Sequence, residues 1–164
     1  MSKIAGIYWD DTAAAPGISL SVYFSGCHFH CPGCHNPEAQ DFNYGKEYDL
    51  DLRQEIMEKL RKNGVMRTLS ILGGEPLADE NLEDVMNLIG WCKLDYPDLK
   101  VYLWTGYTIE ELEAREDATL DHILHNITCL IEGRYEQDKR DTTLPLRGSS
   151  NQRIIMMEDY WRAK

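Results

Sequence analysis

Three of the chain's five cysteines fall within eight positions, in the run Cys27-His28-Phe29-His30-Cys31-Pro32-Gly33-Cys34. Thiolates separated by three and then two residues are soft ligands that favour zinc or an iron–sulfur cluster, and a short Pro/Gly loop can wrap three sulfurs around one centre. No fourth cysteine stands nearby. Three thiolates on a four-iron cluster leave one iron open, as catalytic metal sites keep an open position. The bland alternative is a structural zinc site completed by His28, His30 or His35. Such sites usually come as paired knuckles, and no second Cys/His pair follows downstream. Cys92 and Cys129 sit alone in apolar stretches and read as core residues.

A second candidate is Gly73-Gly74-Glu75-Pro76. Glycines at the end of a strand allow close backbone approach, and exposed amide and carbonyl groups there can hold an ammonium and a carboxylate. Glu75 can add charge-assisted pairing to an amino group. Taken alone, the same residues fit a plain strand-to-helix turn with Glu75 near a helix start. Residues 147–153 form a polar, Gly/Ser-rich stretch whose simplest reading is a surface loop. Trp104 reads as a packing residue at a strand end, His122 and His125 carry no signal, and the acidic pairs Asp79-Glu80 and Glu110-Glu111 read as solvated faces.

The elements that must position these residues are legible in outline. Ile18 to Phe24 is β-rich and ends at Ser25-Gly26, and residues 27–48 read as a long loop. Leu52, Ile56, Met57 and Leu60 recur at helical spacing, with Gly64 as a stop. Thr68 to Leu72 is a short strand, and Leu82, Val85, Met86, Ile89 and Cys92 mark a second helix that Pro97 closes. Val101 to Trp104 is a third strand, residues 108–125 are helical with a break near Asp117, and Ile127–Ile131 and Arg153–Met157 are further strands. This alternation predicts an α/β fold with a parallel sheet and helical crossovers, in one domain spanning residues 1–164. Ligands in such sheets sit beyond the carboxyl ends of the strands. Cys27 and Gly73–Pro76, each directly after a strand, are therefore expected at one edge.

Composition narrows the partners. The 164 residues carry 17 Lys+Arg against 28 Asp+Glu, a net charge of −11, which argues against non-specific binding to nucleic acid. No apolar run approaches the ~20 residues a membrane span requires, and the N-terminus has no hydrophobic signal core. The expectation is a cytoplasmic protein with a protein partner or a small ligand.

The Cys-x3-Cys-x2-Cys spacing resembles that of the radical S-adenosylmethionine (SAM) enzymes. More narrowly, Ser25-Gly26-Cys27 through Cys34-His35-Asn36 is similar to the activating proteins of anaerobic ribonucleoside-triphosphate reductase. Leu72-Gly73-Gly74-Glu75-Pro76-Leu77, Trp104-Thr105-Gly106-Tyr107 and Arg147-Gly148-Ser149-Ser150-Asn151-Gln152 carry the same resemblance across nearly the whole chain. It implies that Cys27, Cys31 and Cys34 hold a 4Fe-4S cluster whose fourth iron takes the amino and carboxylate groups of SAM. Gly73, Gly74 and Glu75 would contact the methionine end, Gly33, Cys34 and His35 the adenosyl side, and the stretch Arg147 to Arg153 would be a candidate for contact with SAM or the partner. The implied reaction is reductive cleavage of SAM and hydrogen abstraction from a glycine on the reductase's large catalytic subunit. A flavodoxin or ferredoxin would supply the electron.

The implied fold is an incomplete TIM-like barrel or open curved parallel sheet, since a closed eight-fold barrel takes about 250 residues. Two departures stand out. Gly33 occupies a position that is often aromatic in the wider superfamily, and Ser19 stands where relatives often have Arg. The rival readings are an activator of another glycyl radical enzyme, such as pyruvate formate-lyase, and a zinc-stabilised interaction module.

Overall fold

The computed structural model describes residues 1–164. Seven strands form one open sheet: β1 (Lys3–Asp11), β2 (Ser19–Phe24), β3 (Lys46–Glu47), β4 (Thr68–Gly73), β5 (Val101–Trp104), β6 (Cys129–Glu132) and β7 (Arg153–Met156). Their order across the sheet is β3-β1-β2-β4-β5-β6-β7, so the two end strands do not pair with each other. Five helices accompany them: α1 (Leu50–Lys59), α2 (Leu82–Asp95), α3 (Ile109–Ala114), α4 (Ala118–His125) and α5 (Met157–Arg162).

The expected parallel sheet needs correcting to a mixed one. β2, β4, β5 and β6 run parallel, joined by crossovers that contain α1, α2 and the α3–α4 pair. β1 and β3 are antiparallel at one side, and β7 at the other. β1 reaches β2 through a connection too short for a crossover, and the longer segment from β6 to β7 contains no α-helix to carry the chain back across the sheet, so both return antiparallel. Sequence reading passed over β1 altogether, although Ile7 and Trp9 alternate with polar or small neighbours. It also took Met157 as strand, where α5 begins.

All five helices lie on one face. The side chains of Leu20, Val22, Phe24, Leu69, Ile71, Val101, Leu103 and Leu130 point to that face and form, with helix residues such as Ile56, Leu88, Leu112 and Ile123, a core cluster of 27 buried residues. The alternation of a strand sends the next residues the other way. There, a small cluster of Ala15, Tyr102, Cys129 and Ile131, with Trp104, Leu146 and Ile154 against it, covers only part of the sheet. Ser19, Ser21 and Ser70 on this second face are also fully buried, and a cavity opens beyond them, at Tyr23, Leu72 and Trp104.

The turns that matter are fixed locally. The break near Asp117 is real: Asp117 accepts from the Leu120 amide and caps α4. Thr108 and Glu111 form a capping box at the start of α3, two orphan amides satisfied reciprocally. Cys92 and Cys129 are fully buried, as expected of core residues. Ser19 is also fully buried, and its hydroxyl accepts from Ser70 Oγ across the β2–β4 pair at 3.1 Å.

Candidate functional site

The ends of β2 and β4 bring the two chemical segments together. Phe24 pairs with Gly73 in register. Beyond that pair, the Gly74 amide donates to the Phe24 carbonyl at 2.8 Å and the Glu75 amide to the Gly26 carbonyl at 2.7 Å. The approach requires glycine. At Gly73, where φ is +130°, a Cβ would fall 2.1 Å from the Phe24 carbonyl oxygen, and at Gly74 one would fall 2.3 Å from that of Ala39. The cysteine loop starts from this stitched edge, with the Gly26 and Cys27 amides donating to the carbonyls of Ala39 and Gln40 at 2.6 and 3.1 Å.

A cavity of about 510 Å³ opens at this edge, and its wall includes Cys27, Cys31, Cys34, His35, Gly73, Gly74 and Glu75. Of the residues singled out from sequence, Gly33 alone is missing from that wall. It packs instead under Gln137, whose Oε1 a Cβ at Gly33 would meet at 2.0 Å. The residues that sequence reading did not assign to the site include Phe29, Thr105, Gly106, Tyr135 and Leu146. Trp104 both packs and lines the wall: its indole donates to the Leu146 carbonyl at 2.7 Å and pins the segment that closes the cavity.

The polar stretch 147–153 turns inward. Arg147, Gly148 and Gln152 line the cavity. Gln152 Oε1 accepts from the amides of Gly148 and Ser149 at 3.0 and 3.1 Å, while its Nε2 donates to the Gly133 carbonyl at 3.0 Å. One amide side chain thus folds the loop on itself and ties it to the end of β6. A Gly/Ser-rich composition gave no hint of this, because the partner lies far along the chain.

The three loop thiols are free and half-buried. Burial pushes Cys27 above the ordinary thiol range, and burial together with the neighbouring Cys34 does the same for Cys31. No three His, Cys, Asp or Glu side chains gather at the spacing one metal ion requires. The histidines beside the thiols are engaged elsewhere: His28 with Glu80 at 2.8 Å, His30 with Gln40 at 2.9 Å, and His35 against the Tyr135 ring. Three thiols on one cavity wall are the soft donors that an iron–sulfur cluster takes.

Glu75 is buried, and three donors from this chain occupy its carboxylate. Oε1 accepts from the Leu77 amide at 2.9 Å and the Thr105 hydroxyl at 2.7 Å, and Oε2 accepts from the Gly106 amide at 2.6 Å. Burial pushes its pKa up to about 7, against the pull of those donors. Its backbone carbonyl accepts from Asn81 Nδ2, which also donates to Ser25. Glu75 therefore locks the turn after β4 to the turn after β5 and sets its carboxyl at the cavity edge.

The acidic pairs read as solvated faces have specific partners. Glu111 takes the Arg134 guanidinium in a two-bond fork at 2.7 and 2.8 Å, which holds its carboxyl down to about 2. Arg153 bridges Glu110 and the buried Glu132, Asp79 pairs with Arg115, and Glu80 takes His28.

Known proteins are similar to this chain over most of its length. Residues 13–155 match the family model of the 4Fe-4S single cluster domain. A protein of Pasteurella multocida named anaerobic ribonucleoside-triphosphate reductase-activating protein is 35% identical over 154 residues, covering 93% of this chain and 96% of its own. One of the same name from Vibrio cholerae is 34% identical over 145 residues, covering 88% and 91%. The one from Enterobacteria phage T4 is 31% identical over 157 residues, covering 95% and 96%.

Proposed function

Because the chain belongs to the family of anaerobic ribonucleoside-triphosphate reductase-activating proteins, we propose that it is a radical SAM activase acting on the large catalytic subunit of that reductase. The observation that carries the proposal is one cavity whose wall holds three free thiols, a Gly-Gly-Glu turn and an inward-folded C-terminal loop. When bound, a 4Fe-4S cluster and SAM supply reductive cleavage of the sulfonium, giving methionine and a 5′-deoxyadenosyl radical that takes hydrogen from a glycine of the partner. No helix is long and apolar enough to cross a membrane, and we read the site of action as the cytoplasm, with a flavodoxin or ferredoxin as electron donor.

In this reading Cys27, Cys31 and Cys34 hold the cluster as thiolates, so loading releases their protons. Gly73 and Gly74 offer backbone groups to the amino and carboxylate end of SAM, and the charge on Glu75 favours the ammonium. Cys34 and His35, with Gly33 shaping their turn, face the adenosyl side. Trp104, through Leu146, and Gln152, through Gly148, hold the far wall and exclude water. The whole chain acts as one unit, an open sheet read as a partial barrel of the radical SAM type. Its helices lie outside, and its uncovered face admits a segment of another protein.

The test is anaerobic reconstitution with iron and sulfide, then reduction and electron paramagnetic resonance with and without SAM. A reduced-cluster signal that changes with SAM, formation of 5′-deoxyadenosine, and a glycyl radical on the reductase are expected. Zinc uptake without labile sulfide overturns the proposal. A radical formed on pyruvate formate-lyase in place of the reductase reassigns the partner.

A further inference from the structure

One aromatic side chain of the cysteine loop packs against two other segments of the chain. Phe29 lies between Cys27 and Cys31, and its amide donates to Cys27 Sγ at 3.4 Å. Its ring stands edge-on to Tyr107, with centroids 4.8 Å apart. On the ring lies the Arg134 guanidinium, 4.3 Å from the centroid. Space for the ring exists because residue 106 is glycine: a Cβ there would come within 2.7 Å of two ring carbons. Arg134 is itself held by the two-bond fork to Glu111 in the first turn of α3. A planar fork is pre-organised, so the guanidinium stays over the ring.

We propose that Phe29 and Arg134 are positioning residues for the cysteine loop: the ring, gripped between Arg134 and Tyr107 over Gly106, holds the three thiols around the cavity. This rests on the reading of Cys27, Cys31 and Cys34 as the cluster ligands. Physically, a loop of this kind has few backbone bonds of its own: within 27–36 the Cys34 amide donates to the Cys31 carbonyl at 3.1 Å, and further ties are side-chain contacts, His28 to Glu80, His30 to Gln40 and His35 to Tyr135 beside the Phe29 ring. Ordering such a segment costs conformational entropy. The ring-and-guanidinium grip meets part of that cost before any cluster arrives, as supporting residues do for metal ligands generally.

The test compares the parent chain with Phe29→Ala, Arg134→Gln and Phe29→Tyr. The apo protein is alkylated under native conditions at one pH, and each cysteine is followed by mass spectrometry. Phe29→Ala and Arg134→Gln are each expected to speed alkylation of the three loop cysteines about fivefold, the scale of one cation–π contact. Buried Cys92 and Cys129 should stay protected. The same two variants should retain less iron and sulfide after anaerobic reconstitution and gel filtration, and Phe29→Tyr should restore both readouts. Loop rates within twofold of the parent overturn the proposal, as does equal exposure of Cys92 and Cys129, which would mean general unfolding. If the parent loads no cluster while the alkylation pattern holds, the activase reading fails and the grip stands.

Discussion

Replacing Glu75 by Gln tests how the site's main turn is held. The substitution keeps the shape but puts an NH2 where one carboxylate oxygen was. If the amide oxygen faces Gly106, the NH2 faces the Leu77 amide; if it is flipped, the NH2 faces Gly106. One buried backbone N–H loses its acceptor either way, which costs about 1–3 kcal/mol. Against this stands the burial that raises the Glu75 pKa from 4.5 to about 7. The folded chain then holds a proton that the unfolded chain releases between those values. The stability this group contributes is full below pH 4.5 and is lost as pH rises to 7.

Between pH 5.5 and pH 8 the loss comes to about 2 kcal/mol by the linkage relation, and Gln cannot show it. The variant should therefore be less stable than the parent by about 1–3 kcal/mol at pH 5.5, and the gap should shrink by about 2 kcal/mol at pH 8. Urea unfolding of the apo protein, followed by tryptophan fluorescence at both pH values, reads the gap directly, and the difference between the two chains cancels every other titrating group. A gap that is constant, or wider at pH 8, would refute the reasoning.

Three further outcomes follow from the same geometry. Cys27→Ala, Cys31→Ala and Cys34→Ala should each abolish 5′-deoxyadenosine formation while shifting the urea midpoint by less than about 1 kcal/mol, since half-buried thiols outside the core leave no large cavity. Gly73→Ala should destabilise the chain by about 3 kcal/mol or more, because a left-handed φ and a 2.1 Å approach to the Phe24 carbonyl cannot both be relieved; thermal melting of the apo protein measures it. Arg153→Gln leaves Glu132, 1% exposed, without its charged donor and with the neutral Ile109 amide as its remaining partner. It should cost about 2–3 kcal/mol in urea unfolding, the scale of an uncompensated buried charge, and a loss under 0.5 kcal/mol would show that the pair is only a surface contact.

The parallel centre of the sheet was legible because each of its strands is a short apolar run flanked by turn residues. Helices α1 to α4 were legible because apolar residues recur at 3.6-residue spacing, whereas the six-residue α5 was not read. Even the break at Asp117 showed, since a capping side chain acts within four residues. β7 was legible as a strand but its antiparallel direction was not, because strand direction depends on pairing with distant segments, and β1 was not read at all. The cysteine spacing and the Gly-Gly-Glu turn named the candidate chemistry for the same local reason.

What the sequence by itself determined was the cluster of three thiols proposed as ligands, the strand ends beside them and the glycines that permit close approach, all properties of residues a few positions apart. Only the tertiary structure decided the rest. It turned 147–152 inward, gave Glu75 to Leu77, Thr105 and Gly106, paired Glu111 with Arg134, and set that guanidinium on Phe29. Hydrogen bonds and ring contacts between residues tens of positions apart exist only once the sheet has fixed which strand ends are neighbours, and no local pattern encodes that.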